Sequence, residues 1–240
     1  MGRYYKHNGR DLPSVTTICG ILDKPALVQW SANMACDYIL DELGDINSRI
    51  QADQLNAEIV GNIVNKARTE FRKMSKKAMD IGSNVHAAIE RYLLTGKEPL
   101  ISVDAEVAGF LAFLEWSEQY DMRVIETEKT VYSELYAGTC DLVCTLGNKK
   151  YLIDFKTSKL KEDSPAYAEH RYQVAAYRQT DPTIEGTGVL YLDKVTGYPQ
   201  WRDVSGTYEK DVSIFNCLVE LWYLIHSTKA KQILGKTNDN

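Results

Sequence analysis

The sequence predicts an α/β protein, a mixed β-sheet covered by helices on both faces and preceded by a helical N-terminal segment. Three observations carry that expectation. Two strand-like runs, residues 139–146 and 149–156, are separated only by Gly147-Asn148, a pair suited to a tight II′-type hairpin turn. Apolar residues occupy both faces of these runs: Cys140, Leu142, Cys144, Ile153 and Phe155 on one, Val143 and Leu152 on the other. Neither face then suits water, which calls for helices above and below. Long stretches with helical apolar spacing precede the hairpin, and further strand-like segments follow it.

The elements follow in order. Leu12-Pro13-Ser14-Val15-Thr16-Thr17 leads into Ile18, Ile21 and Leu22, a short helix with a hydroxyl N-cap, stopped by Lys24-Pro25. Pro25 opens a second helix marked by Leu27, Trp30, Met34 and Ile39, running to about residue 43. Residues 47–94 lack proline and read as helix, with breaks expected near Gly61 and Gly82 and an apolar stripe of Ile81, Val85, Ile89 and Tyr92. Thr95-Gly96-Lys97-Glu98-Pro99 closes this stretch. Residues 103–120 are helical, with Val107, Phe110, Leu111, Phe113 and Leu114 on a broad apolar arc. A strand at 124–132 precedes the hairpin. A helix at about 166–179 follows, then strands at 188–192 and 200–204 around a turn near Val195-Thr196-Gly197. The last helix, 208 to about 233, carries Val212, Phe215, Leu218, Val219, Trp222 and Ile225, and residues 235–240 are expected to be a disordered tail.

With 240 residues and 44% hydrophobic content the chain can bury a full core, and one domain spanning 1–240 is expected, with a helical arch or clamp at about 44–80. No apolar run reaches membrane-spanning length, and the N-terminus resembles no signal peptide, so a soluble, cytoplasmic protein of a prokaryotic cell or phage-infected host is expected, monomeric rather than an obligate oligomer. Five cysteines without a C-x-x-C pair indicate neither a disulfide framework nor zinc, and read as small core residues. The net charge is −5. Its distribution is uneven: Lys66, Arg68, Arg72, Lys73, Lys76 and Lys77 stand against Glu70 alone, six cations to one anion. Such a stripe suits a phosphate backbone or a solvated helix face.

The hairpin register places chemistry. A two-residue turn sets Asp141 opposite Asp154, and alternation puts Lys156 on the same side. Two facing carboxylates repel unless a cation lies between them, and a hard divalent ion with oxygen ligands answers this better than Lys156 alone. Two carboxylates and an ammonium so arranged are what metal-assisted phosphodiester cleavage requires, although a structural ion-pair network uses the same residues. His86, one helical turn after Gly82, can add a nitrogen ligand. Gln173 and Tyr177, four residues apart, share a helical face and can hold a phosphate or an attacking water. Ser158 and Lys159, just beyond Lys156, are candidates for contact with a bound strand, as are the residues of the basic stripe.

Gly82-x-x-x-His86, Gly138-Thr139-Cys140-Asp141, Ile153-Asp154-Phe155-Lys156-Thr157-Ser158 and Gln173-x-x-x-Tyr177 resemble, in order and approximate spacing, the RecB-like branch of the PD-(D/E)XK nuclease superfamily. Leu12-Pro13-Ser14-Val15-Thr16-Thr17, then Lys24-Pro25-Ala26-Leu27 and Trp30, resemble the opening of the mitochondrial genome maintenance exonuclease group and its phage and bacterial relatives; residues 44–80 match least. The resemblance implies a restriction-endonuclease-like sheet and a Mg²⁺- or Mn²⁺-dependent nuclease. It implies His86, Asp141, Asp154 and the Phe155 backbone carbonyl as metal ligands, Lys156 as the group that orients or helps deprotonate the attacking water and stabilises charge on the phosphorane, and Gln173 and Tyr177 as residues that position the substrate. Some relatives hold an iron–sulfur cluster on four cysteines; this chain lacks the closing cysteine triplet, and no cluster is expected. The implied activity is exonuclease action on single-stranded DNA with free ends. An endonuclease of the same superfamily and an inactive DNA-binding recombination accessory protein are the alternatives.

Overall fold

The structure, a computed structural model, describes residues 2–226. Its elements are β1 (Tyr4–His7), β2 (Arg10–Pro13), α1 (Val15–Cys19), α2 (Pro25–Asp41), α3 (Leu43–Gln51), α4 (Ala57–Thr95), α5 (Asp104–Glu118), β3 (Met122–Tyr132), β4 (Ala137–Leu146), β5 (Lys149–Lys156), α6 (Ala168–Gln179), β6 (Gly186–Leu192), β7 (Pro199–Asp203) and α7 (Tyr208–Ile225). The remainder of the expected last helix and the expected tail at 235–240 lie outside the described residues.

A five-stranded mixed sheet runs β3-β4-β5-β6-β7, antiparallel except for the β5–β6 pair, which is parallel and is joined through α6. The hairpin expected from Gly147-Asn148 forms in the expected register, with Leu146 opposite Lys149 and Leu142 opposite Ile153. Gly147 takes φ 58°, the positive value a II′ turn needs at its first central position. Both faces are covered. On one, Val143, Leu152, Val189, Val174, Phe215 and Trp222 join α1, α6 and α7 to the sheet. On the other, Phe155 meets Phe113 of α5 edge to face, and Trp116 packs on Trp201. Full burial of such side chains stabilises by about 1.5–3 kcal/mol each.

Four expectations need correction. The helical stretch breaks at residues 52–56, where Asp53 adopts φ 54° and the Asn56 side chain accepts the Ile59 N–H; α4 runs unbroken through Gly61 and Gly82. A helical glycine costs about 1 kcal/mol, too little to interrupt a helix of this length. The polar start contains a hairpin: Asn8 and Gly9, at φ 48° and 75°, turn β1 into β2. Strict alternation sets Cys140 on the face away from Val143, yet both belong to the same core cluster, because alternation fails around Asp141, where the β4–β5 ladder stops. Cys19, Cys140 and Cys144 are buried, but Cys36 and Cys217 are exposed. Cys36 lies on α2, which has no fully buried residue.

Two compact units can be distinguished: residues up to Leu22 together with those from Gly82 onward, and Asp23–Ile81. The second unit holds α2, α3 and the N-terminal part of α4, and includes the segment 44–80. No helix among the described residues is long and apolar enough to cross a membrane.

Candidate active site and metal centre

β5 supplies two of the polar groups. Asp154 and Lys156 lie two residues apart and share a face, with Lys156 Nζ 2.7 Å from Asp154 Oδ2. β4 supplies the third. Regular pairing ends at Leu142–Ile153, one residue short of Asp141 and Asp154, and Asp141 Oδ2 accepts the Phe155 backbone N–H at 2.6 Å in place of a further ladder bond. Both aspartates and Lys156 line one cleft of about 430 Å³.

β3 adds a carboxylate that no sequence motif singles out. Thr127 pairs with Leu142 and Lys129 with Cys140, so Glu128 lies across from Asp141. Glu128, Asp141 and Asp154 thus form a row across three adjacent strands, each thirteen residues from the next in sequence. That interval is legible in the sequence, but Glu128 in a strand of alternating charged residues looks there like any solvated side chain. Arg3 and Tyr5 also line the cleft, as do Ser14 and Thr16. Their signal is the Asn8-Gly9 turn, which folds the first residues back as a hairpin.

α4 and α6 bring in the remaining groups. His86 Nδ1 is 3.3 Å from Asp141 Oδ1, and its ring sits edge-on to Phe155 at 5.8 Å. One turn earlier, a Cβ at Gly82 would come within 2.9 Å of Thr157 Oγ1; glycine lets α4 approach the end of β5. From α6, Gln173 Oε1 accepts from Lys156 Nζ at 3.0 Å, while its Nε2 donates to Asp154 Oδ1 at 2.8 Å and to the Tyr177 hydroxyl at 3.0 Å. The amide is therefore spent on the Asp154–Lys156 pair and on Tyr177.

Burial pushes the Asp154 carboxyl up to about 6, with Lys156 opposing and Asp141 adding to the push. Burial also acts to raise Asp141, but His86, Lys156 and the Phe155 N–H outweigh it, and this carboxyl lies below its ordinary value. His86 lies above its own, because Asp141 overcomes the effect of burial. Lys156 is likewise raised, Asp154 and Asp141 prevailing over burial. Glu128 is raised by burial, then by Asp141 and Glu90.

Counted by charge, Glu90, Glu128, Asp141 and Asp154 face only Arg3, Lys156 and a titratable His86 in the cleft. An anionic substrate would be repelled unless a further cation were present. The donor set fits one. Ligand atoms of His86, Glu128 and Asp141 all lie within 4.8 Å of one another. Asp154 Oδ2 is buried with no hydrogen-bond donor in line, Lys156 supplying nearby charge. Carboxylate oxygens with one imidazole suit Mg²⁺ or Mn²⁺.

Other candidates lie apart. Ser158 closes a turn onto the Lys156 carbonyl, and exposed Lys159 lies 3.8 Å from Asp193; neither lines the cleft. Lys66, Arg68, Arg72, Lys73, Lys76 and Lys77 are exposed on α4, within the unit Asp23–Ile81, and Lys73 pairs with Glu70 at 3.0 Å. Phe71 lies under the Arg72 guanidinium at 5.6 Å. Tyr92 packs its ring on Phe110 and Phe113 of α5.

No family model matches the chain, and no curated protein matches it. Among solved structures, an alkaline exonuclease (LHK-Exo) from Laribacter hongkongensis is similar over 62% of this chain and 84% of its own, at 15% identity and a TM-score of 0.33. A structure of LHK-Exo in complex with dAMP gives 17% identity and 0.32 over the same shares. A phage-related exonuclease from Haemophilus somnus 129PT is similar over 60% of this chain and 82% of its own, at 11% identity and 0.34. These likenesses are loose, and the chemistry of the cleft has to be read from its own side chains.

Proposed function

We propose that this protein is a Mg²⁺- or Mn²⁺-dependent deoxyribonuclease that hydrolyses phosphodiester bonds, acting as an exonuclease on single-stranded DNA with free ends. The observation that carries the nuclease reading is the carboxylate row meeting Lys156 and His86 in one cleft: an arrangement too anionic to accept a phosphodiester by itself, with donors suited to a hard cation. The exonuclease and single-strand parts rest on the motif resemblance.

His86, Asp141, Asp154 and the Phe155 carbonyl would hold the cation. Once bound, it would supply Lewis acidity toward a phosphoryl oxygen and offset charge developing in the transition state. Lys156 donates to Gln173 and sets its charge 2.7 Å from Asp154 Oδ2, which leaves N–H capacity for the scissile phosphate or the attacking water. Gln173 holds Asp154 and Lys156 in mutual register, and the Tyr177 hydroxyl accepts from the same amide nitrogen that donates to Asp154. In the net reaction water adds to phosphorus, one P–O ester bond breaks, and the departing alkoxide takes a proton. The stripe from Lys66 to Lys77 would hold the backbone of the bound strand, with Ser158 and Lys159 as further contacts.

The test is digestion of end-labelled single-stranded DNA, linear and covalently closed, with Mg²⁺, Mn²⁺ or EDTA, beside Lys156→Ala. Metal-dependent loss of the linear strand, sparing of the circle and an inactive variant are expected. Equal rates on linear and circular strands would replace the exonuclease reading with an endonuclease. DNA binding indifferent to metal, with no cleavage, would favour the inactive accessory protein.

A further inference from the structure

We propose that Glu128 is a further protein ligand of the divalent cation, joining His86 and Asp141 from the β3 side of the carboxylate row. The proposal rests on the metal-dependent nuclease reading and deepens it by assigning a ligand outside the motifs that suggested that reading.

Four observations converge. Glu128 presents a carboxylate oxygen within 4.8 Å of a ligand atom on His86 and on Asp141, and the three residues line one cleft. Its place opposite Asp141 sets like charges across an antiparallel pair, an arrangement that destabilises a sheet unless something cationic joins them. Its backbone sits at φ 48° in the middle of a strand, a conformation uncommon for a residue with a side chain and concentrated at functional sites. Finally, Asp154 is 2% exposed, lines the same cleft, and has an oxygen lacking an aligned donor.

The division of labour follows from the contacts already made. Asp154 faces Lys156 and accepts from Gln173 through its other oxygen, whereas Glu128 has no lysine or arginine in ion-pair contact among the described residues. Asp141, in the middle of the row, reaches both sides: its Oδ1 lies toward His86 and its Oδ2 on the Phe155 N–H. A cation beside Asp141 would draw Glu128 in from β3 and take Asp154 through its Oδ2, which lacks an aligned donor, leaving Asp154 Oδ1 on Gln173 and Lys156 free to act on water and phosphate.

The experiment is calorimetric titration of MnCl₂ into the full chain, comparing wild type, Glu128→Gln, Glu128→Gly and Asp141→Asn, with circular dichroism to confirm folding. Glu128→Gly removes the carboxylate while suiting the positive φ, so a folding defect in Glu128→Gln does not decide the outcome. Weakening of Mn²⁺ binding by about tenfold or more in both Glu128 variants is expected. Wild-type affinity in folded Glu128 variants, with binding lost in Asp141→Asn, would overturn this assignment and leave the nuclease reading standing. Absence of Mn²⁺ binding in wild type, together with absence of cleavage, would overturn both.

Discussion

Among single residues, Gln173 separates positioning from substrate contact. Its carboxamide joins Lys156, Asp154 and Tyr177, and it is 7% exposed, so its removal should disturb the reacting groups more than substrate affinity. Gln173→Ala is expected to lower kcat about 10–100-fold with KM little changed, whereas a rise in KM alone would make it a substrate contact. Lys156→Ala should cost about 10²–10³ in kcat, the loss typical of one charge-stabilising donor, measured under single-turnover conditions. Lys156 is legible in the sequence because a two-residue turn dictates register, and register dictates which strand side chains meet; Gln173 is legible from its four-residue spacing to Tyr177 on one helical face. Glu128 is not: opposing it to Asp141 requires knowing how β3 pairs with β4, and 133–136 is a connection whose length alone sets no register. Between Val124 and Glu126 the pairing also shifts, which no periodicity announces.

Between elements, two charge contacts pin the helices and strands around the cleft. Asp211 of α7, 1% exposed, accepts from Arg171 of α6 at 3.2 Å and from the Thr207 hydroxyl at 2.5 Å. Asp211→Ala leaves the half-buried Arg171 without that partner and is expected to cost about 3–5 kcal/mol in urea unfolding, the loss typical of a broken buried pair. A change below the resolution of the measurement would show that the ion pair is solvated. Asp181, between α6 and β6, is held below the ordinary carboxylate range by the Thr183 hydroxyl and N–H and by Lys129 and Lys150, tying β3 and β5 together. Its folded value is depressed, so its contribution is complete above the unfolded-state value near 4 and is lost as pH falls through the lower folded value. Asp181→Asn should therefore lower stability by about 1 kcal/mol at pH 7, screening included, and shrink the difference from wild type as pH falls below about 4. A difference independent of pH would exclude this linkage. Element boundaries are largely readable, since apolar period and turn chemistry agree along most of the chain. Failures come where a side chain decides the outcome: Asn56 caps α4 after a break that the glycines mislocate, and Asn8-Gly9 makes a hairpin in a segment too polar to attract notice.

For the molecule as a whole, charge distribution matters more than net charge. The chain is acidic, its cleft carries an excess of carboxylates, and a dense run of cations between Lys66 and Lys77 is exposed on α4. Replacing Lys66, Arg68, Arg72 and Lys76 with glutamine should weaken binding of a single-stranded oligonucleotide and reduce the slope of log affinity against log salt by about 0.7 for each phosphate no longer neutralised. An unchanged slope would assign the stripe to solvation. Fold class is readable from the two-faced hairpin, and α4 is one uninterrupted helix with residues in both compact units. The central claim is that the buried carboxylates are tolerated in order to hold a cation. It is tested most directly by thermal melting of wild type and Asp154→Asn at pH 7.5, each with EDTA and with MnCl₂. Burial and Asp141 disfavour the Asp154 charge in the protein without metal, so the variant is expected to melt at or above wild type in EDTA and to lose most of the Mn²⁺-induced rise that wild type shows. A variant that melts well below wild type in EDTA, with Mn²⁺ stabilising neither protein, would contradict the claim and make the cluster a structural ion-pair network.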